Sequence, residues 1–288
     1  MKVIVTIPAY NEEQTIGNVI KDIRRTLNNQ AFDYEIQVVD DGSVDQTANI
    51  ARSLNARVYS HPANCGLAET FRDEIQFALD NGADVIVHFD ADGQYRSDEI
   101  LTLIAPIIKG KADLVLGSRF LGEIEDMPFV KKIGNLAFSK VVSSICGIKI
   151  FDTQTGFRAF TKDLAKKVRV NSEFTYTQEQ IIKSVQKKFR ITEVPIYFAK
   201  RISGKSRLMS NPLDYAIQGN INLLRIYRDF APLKFFGVFG IFLIVGAVII
   251  AIFSLVVLGK VMDITTLILF LSGLQILLFG FLADMMKR

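Results

Sequence analysis

The sequence predicts an α/β protein: a mostly parallel sheet with helices on both faces, followed by an amphipathic helix and two transmembrane helices. Short apolar runs rich in β-branched residues alternate with stretches of helical periodicity, a pattern typical of parallel sheets with right-handed crossovers. Near the other end, Phe235–Leu258 and Ile264–Ala283 contain no charged residue. Each has the ~20 apolar residues that a membrane-spanning helix needs.

Four strands are predicted in the first third of the chain, each followed by a helix. The strands are Val3–Pro8, Tyr34–Val39, Ala56–Ser60 and Val85–Phe89, and the helices end at about Leu27, Leu54, Leu79 and Lys109. Val85–Phe89 is a short apolar run with β-branched residues, which is typical of a strand buried on both faces. Strands and helices that alternate at this spacing favour a sheet whose carboxyl ends share one edge.

The next part of the chain predicts a fifth strand, two helices and an edge strand. Leu114–Leu116 is a short strand, and the segment after it is helical, with lysines at 131, 132 and 140. Asp152–Arg158 is a polar loop, and Gln178–Lys188 is a helix. Ile191–Phe198 is a strand, and Pro195 places it at an edge because proline cannot donate to a neighbouring strand.

Two carboxylates follow the Val85–Phe89 strand. Asp90 and Asp92 are separated by one small residue, so both can turn toward one point beyond the strand. Ligands bind at that edge in open α/β sheets, and paired carboxylates suit Mg²⁺ or Mn²⁺ bound with a diphosphate. A surface turn is the alternative interpretation of one Asp-x-Asp. Because Tyr34–Val39 also ends in acidic residues, Asp40 and Asp41, we favour a site.

Composition excludes several classes of protein. The net charge of +4 is too small and too dispersed to indicate a nucleic-acid-binding surface. Cys65 and Cys146 are too few and too far apart for a disulfide framework or a zinc site, which is typical of a reducing compartment. The first residues lead directly into a strand and predict no signal peptide.

Basic residues flank the pair of uncharged segments: Arg225, Arg228, Lys234, Lys287 and Arg288. The connection between the segments carries only Lys260. By the positive-inside rule, both ends and the large N-terminal part are predicted to lie in the cytoplasm. A pair of buried core helices is the alternative, but two such runs have no polar face to present to water.

A helix beginning at Pro212 precedes the first span. Its apolar residues fall three or four apart and are flanked by arginines, which is typical of an interfacial helix in the lipid headgroups. An ordinary helix packed on the sheet is the alternative. We therefore predict three parts: a catalytic domain at residues 1–210, the amphipathic helix at 211–232 and a transmembrane hairpin at 233–288.

Five motifs, taken together, resemble those of the family 2 glycosyltransferases with the GT-A fold. They are Pro8–Glu13 (PAYNEE), Val39–Ser43 (VDDGS), Asp90–Gln94 (DADGQ), Gly117–Arg119 (GSR) and Asp152–Arg158 (DTQTGFR). More narrowly, the chain is similar to the polyprenyl-phosphate sugar synthases, which include dolichyl-phosphate mannose and glucose synthases and their undecaprenyl-phosphate relatives. The resemblance covers roughly residues 1–230, and the two spans match the membrane-anchored members.

The resemblance implies roles for particular residues. The residues expected to contact the nucleotide are Pro8, Tyr10, Glu12, Asp40, Asp41 and Asp90. Those expected to hold the metal and the donor diphosphate are Asp90, Asp92 and Gln94. Those expected to face the acceptor phosphate are Arg119, Lys131, Lys132, Arg201 and Lys205, with the last two in a loop that closes over the site. Asp92, Gln94 and Arg119 would serve catalysis. The chain departs from the family at Glu74, where a glycine is common.

The implied reaction is inverting, metal-dependent transfer from a nucleotide sugar to a polyprenyl phosphate. The metal stabilises charge on the leaving diphosphate. The lipid phosphate arrives ionised and needs no base, only cationic guides. The donor could be GDP-mannose, UDP-glucose or UDP-N-acetylglucosamine. The acceptor could carry a dolichyl or an undecaprenyl chain. A homo-oligomer is also possible. The basic loop containing Arg201 and Lys205 could instead bind anionic lipid.

Two other functions remain open at this point. Transfer to a hydroxyl of a lipid or glycan would need a carboxylate base, for which Glu173 and Glu179 are the candidates. A non-catalytic nucleotide-sugar-binding membrane protein is the other. The processive polysaccharide synthases of the family carry a Gln-x-x-Arg-Trp signature, and the absence of tryptophan from this chain excludes that branch.

Overall fold

The first of the chain's two units is built on one sheet. The computed structural model describes residues 1–172, 176–200, 212–259 and 264–286. The chain divides into Met1–Gln218 and Gly219–Arg288. Seven strands lie within the described residues: β1 Lys2–Ala9, β2 Asp33–Asp40, β3 Arg57–Ser60, β4 Val85–His88, β5 Leu114–Ile124, β6 Arg158–Thr161 and β7 Ile191–Phe198.

The sheet order is β3-β2-β1-β4-β6-β5-β7. β6 is antiparallel to both of its neighbours, and the other pairs are parallel. The carboxyl ends of β1, β2 and β4 therefore meet at one edge, and the amino end of β6 reaches the same edge. β7 is the outermost strand, as Pro195 predicted, and Pro195 itself is exposed.

Helices cover both faces of the sheet. In the first unit they are α1 Ile16–Leu27, α2 Thr47–Ser53, α3 Leu67–Asp80, α4 Glu99–Ile108, α5 Phe129–Cys146, α6 Lys162–Lys167 and α7 Tyr176–Gln186. α1 shows why they form, because its apolar residues recur three or four apart and are all buried against the core of β1 and β4. The predicted α/β architecture is confirmed.

Two short elements were not predicted. β6 ends at Thr161 and α6 begins at Lys162, in a part of the chain for which no strand or helix was predicted. Arg158 was predicted to lie in a polar loop, but it is the first residue of β6. β5 also continues to Ile124 instead of ending at Leu116. The four residues of β6 are held in the sheet by pairing with β4 and β5, contacts that local periodicity does not reveal.

Three long helices follow the sheet: α8 Pro212–Phe230, α9 Pro232–Leu258 and α10 Ile264–Met286. α9 and α10 are long and apolar enough to cross a membrane, as predicted. They pack closely through glycines. A Cβ added at Gly240 would lie 2.8 Å from the carbonyl oxygen of Gly273, and one at Gly273 would lie 2.7 Å from that of Gly240.

Candidate active site

The turns after β1 and β2 are joined by backbone-to-side-chain hydrogen bonds. Asn11 N–H donates to Ser43 Oγ at 2.8 Å, and Glu12 N–H donates to Thr47 Oγ1 at 2.8 Å. Asp40 is buried, and its Oδ1 accepts the Ser43 N–H at 3.1 Å. Four of the residues predicted to contact the nucleotide therefore lie at the same edge, at the ends of β1 and β2 or in the turn after β1: Pro8, Tyr10, Glu12 and Asp40.

Asp41 turns away from that edge toward the loop after β3. Its carboxylate accepts the backbone N–H groups of Cys65 at 2.8 Å and Gly66 at 3.0 Å. His61 lies between two carboxylates, with Nδ1 2.9 Å from Asp41 Oδ1 and Nε2 2.9 Å from Asp73 Oδ2. Burial opposes the charge on this ring, but the two carboxylates outweigh it and raise the pKa of His61. Asp41 thus holds the 61–66 loop, and its contact with a nucleotide stays a prediction.

A metal ion could in principle take ligands from this loop. Asp41, His61 and Cys65 offer ligand atoms within 4.8 Å of one another. Both ring nitrogens of His61 already bond to carboxylates, so the imidazole would have to give up one of these bonds to coordinate a metal. We interpret the ring as a bridge between the two acids.

The predicted metal carboxylates lie just beyond β4. The Asp90 side chain is 34% exposed. Asp92 Oδ1 accepts the Gln94 N–H at 3.1 Å, and Gln94 Nε2 donates to the Ala199 carbonyl at 3.0 Å. The Gln94 amide nitrogen is therefore occupied, and Oε1 is the atom that it can offer to a metal.

Asp90 is fixed from two sides. A Cβ added at Gly156 would lie 2.7 Å from Asp90 Oδ1 and 2.8 Å from Oδ2, so a larger residue there would displace the carboxylate from this position. Burial favours the neutral acid, but His88, Arg119 and Arg158 outweigh it and lower the pKa of Asp90. An ionised, confined carboxylate with further oxygen donors beside it fits a hard divalent cation such as Mg²⁺ or Mn²⁺.

Two residues that sequence reasoning missed lie beneath Asp90. His88 and Glu74 are both fully buried, with Nδ1 2.7 Å from Glu74 Oε2. His88 Nε2 is 3.5 Å from Asp90 Oδ1. Burial lowers the pKa of His88, but Glu74 and Asp90 outweigh it, and the pKa is raised. A signal was present in the sequence, because Glu74 falls on the apolar stripe of α3 and His88 interrupts an apolar strand.

Arg119 forms a buried ion pair with Asp152. Its Nε lies 2.7 Å from Asp152 Oδ2, and another guanidinium nitrogen lies 2.8 Å from Oδ1. Burial opposes the charge, but Asp152 outweighs it and raises the pKa of Arg119. The guanidinium also faces the Phe198 ring at 5.2 Å. An acceptor phosphate would therefore meet Arg119 with its charge already paired, and this role stays a prediction.

The other predicted acceptor residues are only partly described. Lys132 is exposed and Lys131 is half-buried on α5. Arg201 and Lys205 lie outside the described residues, as does Glu173 of the hydroxyl-transfer alternative. Glu179 is buried, accepts two backbone N–H groups and contacts Lys183 at 2.6 Å, so it is poorly placed to act as a base.

Comparison with known proteins identifies the family and the fold. The model of the family described as "Glycosyl transferase family 2" matches residues 4–169. A UDP-N-acetylglucosamine–dolichyl-phosphate N-acetylglucosaminyltransferase of Methanococcus voltae is 35% identical over 217 residues, which cover 67% of this chain and 84% of the relative. A dolichyl-phosphate hexose transferase of Haloferax volcanii is 34% identical over 205 residues, which cover 71% of this chain and 85% of the relative.

A solved structure has the same fold at low sequence identity. It is glucosyl-3-phosphoglycerate synthase from Mycobacterium tuberculosis in complex with Mn²⁺, UDP and glucosyl-3-phosphoglycerate. The TM-score is 0.60 at 19% identity, and the match covers 77% of this chain and 79% of that one.

Proposed function

The chain belongs to glycosyltransferase family 2, and we propose that it transfers a sugar from a nucleotide diphosphate to a polyprenyl phosphate, with inversion at the anomeric carbon. The proposal rests on the Asp90 carboxylate, which is held ionised against Gly156 at the sheet edge beside Asp92. The Methanococcus voltae and Haloferax volcanii relatives, whose names give dolichyl phosphate as acceptor, support the acceptor class.

The donor lies at the carboxyl ends of β1, β2 and β4. Pro8 and Asp40, near the carboxyl ends of β1 and β2, and Tyr10 and Glu12, in the turn after β1, bind the nucleotide. Asp41 holds the neighbouring loop in place. Asp90, Asp92 and Gln94 Oε1 hold the divalent cation, which when bound neutralises charge on the leaving diphosphate. Mn²⁺ in the complex of the structural neighbour supports a cation of this kind.

The acceptor side of the site needs no base, because a phosphate acceptor is already ionised. It needs basic side chains that bind the negative charge of the phosphate. Lys131 and Lys132 of α5 are the described lysines that we assign to it, together with Arg119 and the basic residues Arg201 and Lys205. The same helix exposes Phe129, Ile133 and Leu136. Lysines beside exposed apolar side chains suit an acceptor with an anionic head and a hydrocarbon tail.

We assign the membrane anchor to α9 and α10. Their length and composition suit two spans. The basic residues Arg225 and Arg228 of α8 and Lys234 in the first turn of α9 support a cytoplasmic catalytic unit. Ile217, Ile221 and Leu224 of α8 are exposed on an apolar stripe, which supports an interfacial position for that helix.

A product assay tests the proposal. The full chain in detergent is incubated with polyprenyl phosphate, a divalent cation and labelled GDP-mannose, UDP-glucose or UDP-N-acetylglucosamine in turn. We expect one donor to give a charged lipid product that mild acid cleaves. A neutral glycolipid would indicate transfer to a hydroxyl instead, and the absence of product with every donor would contradict an enzymatic role.

Gly156→Ala tests the confinement of Asp90. The added methyl group would force the carboxylate to another rotamer, because it would lie 2.7 Å from Oδ1. Since small displacements of reacting groups are costly, we expect turnover to fall about 10- to 100-fold, with a higher Mn²⁺ concentration needed for half-maximal rate. Gly246→Ala is the control, because an added Cβ there meets no atom within 4 Å. Equal turnover in the two variants would contradict the confinement.

A further inference from the structure

The Glu74–His88 pair is an unusual feature for the interior of an α/β domain. Glu74 lies on the buried stripe of α3 between Phe71 and Ile75, and His88 ends β4. The two side chains are fully buried, and their hydrogen bond is 2.7 Å long. Burying such a pair costs more desolvation energy than the attraction usually returns, and apolar residues of similar volume often serve stability as well or better. Stability alone therefore does not account for this pair.

The pair is aimed at Asp90. Nδ1 of His88 and Oε2 of Glu74 share a hydrogen bond of 2.7 Å, which fixes the orientation of the ring and turns Nε2 toward the sheet edge. Nε2 is fully buried and makes no hydrogen bond, although Asp90 Oδ1 is only 3.5 Å away. A buried polar atom without a partner is costly. A shift of a few tenths of an ångström would join Nε2 to Asp90, and hydrogen bonds of active sites commonly shorten in this way when ligands bind.

Gly156 also approaches the carboxylate closely, because a Cβ added there would lie 2.7 Å from Oδ1 and 2.8 Å from Oδ2. The Asp90 side chain is still 34% exposed, so it can face a ligand. Carboxylates that bind metals are commonly oriented by hydrogen bonds from residues behind them.

We propose that Glu74 and His88 are positioning residues that orient Asp90 for the divalent cation: Glu74 holds the ring, and Nε2–H of His88 donates to Asp90 Oδ1. The inference rests on the proposed function, since it assumes that Asp90 is a metal ligand. It assigns a role to two residues that the family resemblance does not, one of them at a position where a glycine is common.

Mn²⁺ binding tests the inference without requiring turnover. The full chain in detergent is titrated with Mn²⁺ in the presence of UDP and, in parallel, GDP, and free Mn²⁺ is followed by electron paramagnetic resonance. In His88→Asn the side-chain amide nitrogen reaches only the Nδ1 position, so Asp90 loses its donor. In His88→Gln the amide reaches the Nε2 position and restores the donor.

We expect His88→Asn and Glu74→Gln to weaken Mn²⁺ binding about 10- to 100-fold and His88→Gln to recover most of that loss. Glu179→Gln is the matched control, because Glu179 is also a buried carboxylate in an ion pair but its partners are Lys183 and the 171–172 backbone. It should leave Mn²⁺ affinity unchanged. Circular dichroism checks that each variant is folded.

The outcomes separate this inference from the function on which it rests. If the unmodified chain binds no Mn²⁺ with either nucleotide, the metal site itself is wrong and the inference falls with it. If the unmodified chain binds Mn²⁺ and folded His88→Asn or Glu74→Gln binds it equally well, only the positioning role is wrong. Equal losses in His88→Asn and His88→Gln would also overturn it, because the donor at the Nε2 position would then be irrelevant.

Discussion

Replacing Asp92 by asparagine is expected to reduce sugar transfer about 1,000-fold, the upper range for removing one preorganised group that stabilises transition-state charge. Asp92 lies two residues beyond Asp90, and its Oδ1 accepts the Gln94 N–H at 3.1 Å. An asparagine oxygen can keep that hydrogen bond, so the loop should hold its shape. The lost charge should remove a metal ligand. Initial rates with a saturating donor and with Mg²⁺ or Mn²⁺ measure the effect.

Asp98→Asn provides the matched control. Asp98 is a nearby exposed aspartate whose carboxylate pairs with Arg96 at 2.8 Å, and exposed pairs contribute little. Loss of the Asp98–Arg96 ion pair should therefore leave turnover unchanged. Retention of most activity by Asp92→Asn when Mg²⁺ or Mn²⁺ is added would contradict the metal role of Asp92.

Asp152→Asn is expected to have the largest effect on stability. Asp152 and Arg119 are buried, with two side-chain hydrogen bonds of 2.7 and 2.8 Å between them. Removing one charge of a buried pair leaves the other uncompensated, which costs about 3–5 kcal/mol of unfolding free energy. For a domain of this size that corresponds to a melting temperature lower by about 10 °C. Because the chain has no tryptophan, circular dichroism is the suitable probe.

Two comparisons isolate the buried charge as the cause. Asp113 and Arg190 form a pair of the same two-bond geometry, at 2.8 and 3.0 Å, but Arg190 is 56% exposed. Asp113→Asn should therefore cost less than about 1 kcal/mol. The double variant Arg119→Met, Asp152→Asn has no uncompensated charge and should regain much of the lost stability. A melting temperature for Asp152→Asn equal to that of Asp113→Asn would contradict this account.

The position of the candidate site at the sheet edge could be predicted from the sequence because it depends on local patterns. Apolar strands that end in acidic residues predict a sheet edge with carboxylates, and the structure brings the ends of β1, β2 and β4 together there. The apolar periodicity of α1 and the uncharged runs of α9 and α10 likewise determine those helices by themselves.

The environment of the site depends on contacts between distant residues and could not be read in this way. Arg119 was expected to face an acceptor, but its pairing with Asp152 depends on how the loop before β6 folds back. Gly156 confines Asp90 only because β6 is inserted next to β4. The Glu74–His88 contact joins a helix to a strand across 14 positions of sequence. The sequence shows two polar residues within apolar patterns but not that they contact each other.

The close contact between Gly240 and Gly273 has a consequence for self-association. In lipid, helices associate chiefly where small residues let their backbones approach. In this chain Gly240, Gly273 and Gly280 already face the other helix of the same hairpin. Two copies that met through α9 or α10 would meet the large exposed side chains, such as Phe242, Phe253 and Phe279, and glycines that the hairpin does not use, such as Gly246. Any dimer formed in the bilayer should therefore tolerate alanine at the three glycines of the hairpin contact better than the single hairpin does.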